Sequence, residues 1–198
     1  ESFSDDPLRM LRAARFIASY KLTPDPELFN TMADLVDRFS IVSAERILGE
    51  IDKLLQAKDP EEGLQLLHDT GLLRLFLPEV TPERFQYIVD IPADPTLRIA
   101  ALLAKTPRHD YDKRLRALRF SKERIVIIRQ IIEGASHILD SPVGDSDYRR
   151  WYFQSGENRE ESYQIALTLS ENVPKIWEKM EETRLRLGEE LNDFALPV

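Results

Sequence analysis

Apolar residues recur at helical spacing along the length of this chain, and no stretch shows sustained period-2 alternation bounded by hairpin turns. Without strands, a core has to come from helices laid on helices. The punctuation agrees. Only 7 glycines occur in 198 residues, against 12 prolines, and the breaks are made largely by Pro with Asp or Ser. Asp6-Pro7 predicts an N-cap with proline at the first helical position, opening a helix to about Tyr20. Asp25-Pro26 repeats the device, and Leu28, Met32, Leu35, Val36 and Phe39 follow at helical spacing. Ser43 is read as the cap of a third helix with the stripe Ile47, Leu48, Ile51, Leu54 and Leu55. Asp59-Pro60 opens a fourth, which Gly71 closes. Further helices are expected near 82–89, 94–105, 110–120, 121–139, 147–155, 159–170 and 173–191. The fold class is all-α.

Loops bracketed by Pro78 and Pro82, and at residues 140–147, are the soft boundaries. The first suggests two domains, 1–80 and 81–198. With 42% hydrophobic and 31% charged residues the chain has the composition of an ordinary globular protein. It contains no cysteine, so disulfides and thiolate metal sites are excluded. No apolar run approaches the roughly 20 residues of a membrane span, and no signal peptide is seen, so a cytoplasmic protein is expected. Glu1 stands where a methionine would start a chain, which reads as a piece of something longer.

Net charge is −8, but it is unevenly spread. Between Arg108 and Arg129 eight Lys/Arg face three acids, whereas between Glu157 and Asp193 ten acids face five bases. A locally basic stretch in an acidic protein can still meet phosphate. The other concentration of charge is "SFSDDPLRMLRAARF", residues 2–16. One reading is a capped helix with a solvated basic face. Against it, Arg9, Arg12 and Arg15 sweep about 120° around a helix, and Phe16 lies only about 20° from Arg9. A second reading takes Asp6 and Arg9, three apart, as neighbours on one face. A carboxylate beside a guanidinium complements the amino donor and ring-nitrogen acceptor on a cytosine or adenine edge. Guanine and uracil present the reverse order.

The stretch "SDDPLRMLRAARF" resembles the E-D-x-x-R nucleotide-selecting motif of class II tRNA nucleotidyltransferases, the family of CCA-adding enzymes and bacterial poly(A) polymerases. "IVSAERILGEIDKLL" resembles that family's V-S-x-E-R-I neck helix, and "GLQLLHDTGLLRLFLPEV" its G-L-x-x-L-x-x-x-G-L-L-x-x-x-x-P-E segment. The three cover residues 2–80 almost continuously, in the family's order. Asp5 departs from the pattern, standing where the family usually has Glu. The resemblance implies a helical neck over 1–80 and a helical body over 81–198. It implies that Asp6 and Arg9 form the protein's nucleotide template, and that Glu45 and Arg46 brace the template helix. The implied activity is addition of CMP, AMP or both to the tRNA 3′ end from CTP and ATP. Part of a poly(A) polymerase, or a non-catalytic RNA-binding adaptor, are the alternatives.

Nucleotidyl transfer needs paired carboxylates that hold two Mg²⁺ ions. In this family they sit on an N-terminal β-sheet head, after a G-G-x-x-R-D turn. This sequence has no such motif pair, and its only D-x-D, Asp145-Ser146-Asp147, reads as loop and helix cap. The head is therefore expected upstream of Glu1, with Mg²⁺ a cofactor of the parent enzyme and neither catalytic nor metal-binding residues in this chain. "IAALLAKTPRHDYDKRLRALRFSKERI" resembles the region around the family's HD phosphohydrolase motif, but Ala104 and Lys105 occupy the His-Asp positions. With three histidines in all, no phosphohydrolase metal site is expected. Arg12, Lys113, Arg114, Arg116 and Arg119 are the candidate contacts to the tRNA backbone, the competing reading being an exposed basic face without a ligand. Trp151, Tyr152, Phe153 and Trp177 are read as packing.

Overall fold

The computed structural model describes residues 3–141 and 144–188, and no strand occurs among them. The chain forms two compact units, Glu1–Ile128 and Arg129–Val198. The first contains α1 (Leu8–Tyr20), α2 (Pro26–Asp34), α3 (Ala44–Leu55), α4 (Glu61–Asp69), α5 (Pro95–Leu103) and α6 (Arg108–Ala117). A long α7, Lys122–Leu139, follows, then α8 (Asp145–Ser155), α9 (Arg159–Leu167) and α10 (Val173–Leu187). No helix among the described residues is long and apolar enough to cross a membrane.

α1 lies against both α3 and α4, and α3 against α5. The buried stripe of α1 is Met10, Leu11, Ala14, Ile17 and Ala18; it meets Ile47, Ile51, Leu54 and Leu55 of α3 and Leu64 and Leu67 of α4. Gly63 sets how closely α4 approaches. A Cβ there would lie 2.6 Å from the Ala14 carbonyl oxygen and 2.8 Å from Leu54 Cδ1, so any side chain would push α4 off α1. α5, beyond the Pro78–Pro82 loop, packs on α3, so the polypeptide on both sides of that loop shares the first unit.

Helix ends use two devices. At N-termini, Asp25 accepts from Glu27 N–H at 2.7 Å, Asp59 from Glu61 N–H at 3.2 Å, and Asp94 from Thr96 and Leu97 N–H at 2.8 Å. Ser43, expected as a cap, occupies the position without a side-chain cap bond. At C-termini, buried arginines stand in for scarce glycine. Arg98 donates to Leu55 O (2.8 Å) and Ala57 O (2.6 Å) at the end of α3, and to Ile91 O (2.9 and 3.1 Å). Arg84 donates to Ala101 O in the last turn of α5 (2.6 and 3.2 Å). Each brings positive charge to the negative end of a helix, where the last carbonyls have no i+4 amide to bond.

Three local expectations are corrected. The helix expected at 82–89 is two 3₁₀ turns, Pro82–Arg84 and Ile88–Asp90. So short a helix is marginal on its own, and burial of Arg84, Phe85 and Ile88 decides the path instead. The second helix stops at Asp34 and gives way to a 3₁₀ segment, Val36–Ile41, which still buries Val36 and Phe39. The last expected helix ends at Leu187; residues 189–191 lie outside the described residues.

In the second unit α10 packs on α8 and α9. Trp151 is buried and donates from Nε1 to Gly134 O at 3.2 Å, with Trp177 edge-on at 5.5 Å and Tyr163 stacked on Trp177 at 4.3 Å. The aromatic residues thus form packing between helices. Asp145, expected in the loop and helix cap before 147, opens α8 and accepts from Arg186 Nη1 at 2.9 Å.

Candidate nucleotide-selecting site

The segment leading into α1 is held rather than trailing. Arg38 donates to Ser4 O at 3.0 Å, and Arg46 Nη2 reaches both Asp6 oxygens at 3.0 and 3.2 Å. Asp6 is therefore not the expected side-chain cap. The helix begins at Leu8, Pro7 occupies the cap position without a side-chain bond, and the Asp6 carboxylate is drawn to the Arg46 guanidinium instead. Either contact would be charge-assisted, but the guanidinium meets the carboxylate with a full positive charge where a backbone N–H offers only a dipole. The Asp6 carbonyl accepts from Arg9 N–H at 3.0 Å, which closes the turn carrying the two residues. Arg9 is half-buried at the second position of α1. One Arg46 nitrogen shared between both Asp6 oxygens leaves carboxylate lone pairs to accept from a base amino group.

Arg46 and Glu45 part company. Arg46 turns to Asp6, whereas Glu45 lies 3.7 Å from Arg119 Nε, with both side chains about two-thirds exposed. Such a pair contributes little to stability. It does bring Arg119, two residues beyond α6, to the same end of α3 that holds Asp6. Lys113 and Arg116 are likewise exposed on α6. Arg114 is instead half-buried in a two-pronged contact with Glu79 (2.9–3.1 Å). Arg124 makes a similar one with Asp52 (2.7 Å) and also reaches Thr96 Oγ1.

The residue missed from sequence is Glu50. One turn beyond Arg46 on α3, it is 3% exposed and gathers three cations: Arg15 Nε at 3.0 Å, Lys53 Nζ at 3.0 Å and Arg12 Nε at 3.5 Å. Burial works to raise its carboxyl, but the Lys53 hydrogen bond and the charges of Lys53, Arg15 and Arg12 outweigh it and hold the group below its ordinary range. Thus α3 grips α1 at two heights, Arg46 on Asp6 and Glu50 on Arg12 and Arg15. Among the described residues, no group of three His, Asp or Glu side chains is placed to hold a metal ion.

Among the described residues the architecture is all-α. Residues 21–84 match the family described as the probable RNA and SrmB-binding site of polymerase A. The Neisseria meningitidis serogroup A Multifunctional CCA protein is 35% identical over 97 residues, 46% of this chain and 23% of that protein. That of Pseudomonas syringae pv. syringae is 32% identical over 120 residues, 56% of this chain and 29% of the relative. Solved CCA-adding enzymes share the fold. One in complex with CTP superposes with a TM-score of 0.66 at 16% identity, over 99% of this chain and 53% of that one. The Thermotoga maritima enzyme complexed with tRNA gives 0.63 at 18%, over 100% and 54%. By these matches the chain is similar, over part of its length, to the class II tRNA nucleotidyltransferase family. It spans about half the length of these solved structures, and its matches span less than a third of the curated relatives.

Proposed function

We propose that this chain is the neck and body of a tRNA nucleotidyltransferase that adds CMP, AMP or both to the tRNA 3′ end from CTP and ATP. In this reading residues 1–80 act as neck and 81–198 as body. Asp6 and Arg9 choose the base, Arg46 braces Asp6, and Lys113, Arg116 and Arg119 approach the RNA backbone. Metal-dependent transfer, with its Mg²⁺, belongs to a head domain outside this chain. One observation carries the reading: Arg46 of the neck helix bonds Asp6 at 3.0 Å, so two motifs 40 residues apart meet where the template is needed. The relatives solved with CTP, ATP and tRNA support these partners.

The test supplies tRNA lacking its terminal CCA to the full-length parent protein, with each labelled nucleoside triphosphate offered singly. C and A are incorporated and G and U are not, and Arg9→Ala erodes that preference by roughly 5- to 100-fold, the value of one bidentate base contact. Incorporation of A alone would favour the poly(A) polymerase reading, to which the matched family description also points. No incorporation at all would leave an RNA-binding adaptor. The 198-residue chain assayed by itself incorporates nothing; clear turnover would overturn the assignment of transfer to a separate head.

A further inference from the structure

Beyond Arg9, the same line of α1 carries a ladder of flat groups. Residues 16 and 20 each fall within about 20° of residue 9 around a helix, one on either side of it. Phe16 and Tyr20 are exposed by 41% and 67%, and their rings stack at 5.9 Å with 26° between planes. The Arg15 guanidinium lies 4.2 Å from the Phe16 ring centre, and Arg15 is itself tied at 3.0 Å to buried Glu50. Four groups are thus fixed in sequence: carboxylate, guanidinium, phenyl ring, phenol ring. Bases stack on aromatic planes and on arginine alike, so an exposed ring pair backed by a guanidinium, with a cation beside it for phosphate, has the chemistry that receives a nucleobase. Lys21 follows immediately as an exposed cation, in the left-handed conformation that ends α1.

We propose that Tyr20, backed by Phe16, Arg15 and Glu50, is a stacking platform for an unpaired nucleobase of single-stranded RNA. Resting on the function proposed above, the base belongs to the RNA 3′ end. Tyr20 lies about 16 Å along the helix axis from Arg9, which about five stacked nucleotides, or fewer in an extended strand, can span. The platform reads no sequence, since every base has a π-face. It anchors the strand while the template chooses the incoming nucleotide.

The test is fluorescence anisotropy of this 198-residue chain with an end-labelled eight-nucleotide single-stranded RNA ending in CC. A blunt RNA duplex of the same sequence is run beside it. Tyr20→Ala and Tyr20→Leu weaken single-strand binding roughly 5- to 100-fold, the size of one base–aromatic stack. Tyr20→Trp restores it, and duplex binding is the same in all four proteins. Tyr20 is exposed, so matching thermal melts show that the variants fold. Single-strand affinity within twofold of wild type for Tyr20→Ala overturns the proposal. So does wild-type-like binding by Tyr20→Leu, which would make the face merely apolar, and so does failure of the wild-type chain to bind the single strand. Platform dependence in a parent protein that incorporates no nucleotide would sink the transferase reading and leave the platform standing.

Discussion

Arg98→Met lowers the stability of the first unit by about 3–5 kcal/mol, the largest loss expected of a single substitution here. Methionine matches the length of the arginine stem, so little volume is lost. What disappears is the set of charge-assisted bonds to the carbonyls of Leu55, Ala57 and Ile91. Those oxygens are walled off from water by the side chain that serves them, since Arg98 is 2% exposed. Each is left to bear its own desolvation. Burial also lowers the Arg98 pKa, with nearby Asp59 opposing, but a guanidinium stays charged throughout the working pH range. Arg98→Lys rescues only part of the loss, because one ammonium cannot span three carbonyls in the guanidinium's plane.

The measurement is thermal unfolding by far-ultraviolet circular dichroism, where a chain of this size shifts by about 2–4 °C per kcal/mol, giving a drop of about 6–20 °C. Both tryptophans, Trp151 and Trp177, lie in the second unit. Their fluorescence therefore follows that unit separately and identifies which transition has moved. A shift under 2 °C would mean that the carbonyls find water or other donors, and that Arg98 is not what closes α3.

Residues of this kind mark where sequence reading stops. The all-α fold was legible because apolar spacing, Asp-Pro starts and lack of alternation are local signals. Asp6 and Arg9 could be proposed as a template on equally local grounds, being three residues apart. The structure adds their support. Arg46 lies 40 residues from Asp6, and the motif resemblance supplied it; periodicity alone offers no such pairing. Arg38 and Arg98 act on carbonyls 34 to 43 residues away, and backbone acceptors leave no trace in side-chain identity. Asp6 shows the reverse failure. Its place before Pro7 reads as a cap by every local rule, and only the distant guanidinium redirects it. Glu50 did leave a signal. It stands inside the stripe Ile47, Ile51, Leu54, three residues after the first, where a solvated carboxylate has no business. Weighed that way, an acid on the buried face calls for cations opposite, and Arg12 and Arg15 of α1 are such cations.

Glu50→Gln tests whether that buried charge sets the pose of the template helix. Glutamine fills the same space and keeps hydrogen-bonding capacity, but it removes the negative charge that faces Arg12, Arg15 and Lys53. Arg12 and Lys53 are about half exposed and recover water, while Arg15, at 22%, does so less. The loss is therefore expected at about 1–3 kcal/mol rather than the full cost of orphaning a buried ion. A double-mutant cycle with Arg15→Gln isolates the pair, and coupling below about 0.5 kcal/mol would dismiss Arg15 as its main partner. Acid supplies a second check. The folded-state pKa of Glu50 is depressed from its ordinary 4.5, so its contribution is present above that value and is lost as pH falls through the folded one. The stability gap between wild type and Glu50→Gln is thus full at neutral pH and closes below 4.5. In the full-length parent protein Glu50→Gln also raises misincorporation of G and U several-fold, although Glu50 touches no nucleotide, because α1 is then gripped only at Asp6. Stability lost with base selectivity unchanged would make Glu50 a packing residue. Selectivity lost in proportion at neutral pH, with the gap closing in acid, makes it the lower of the two grips through which α3 aims Arg9.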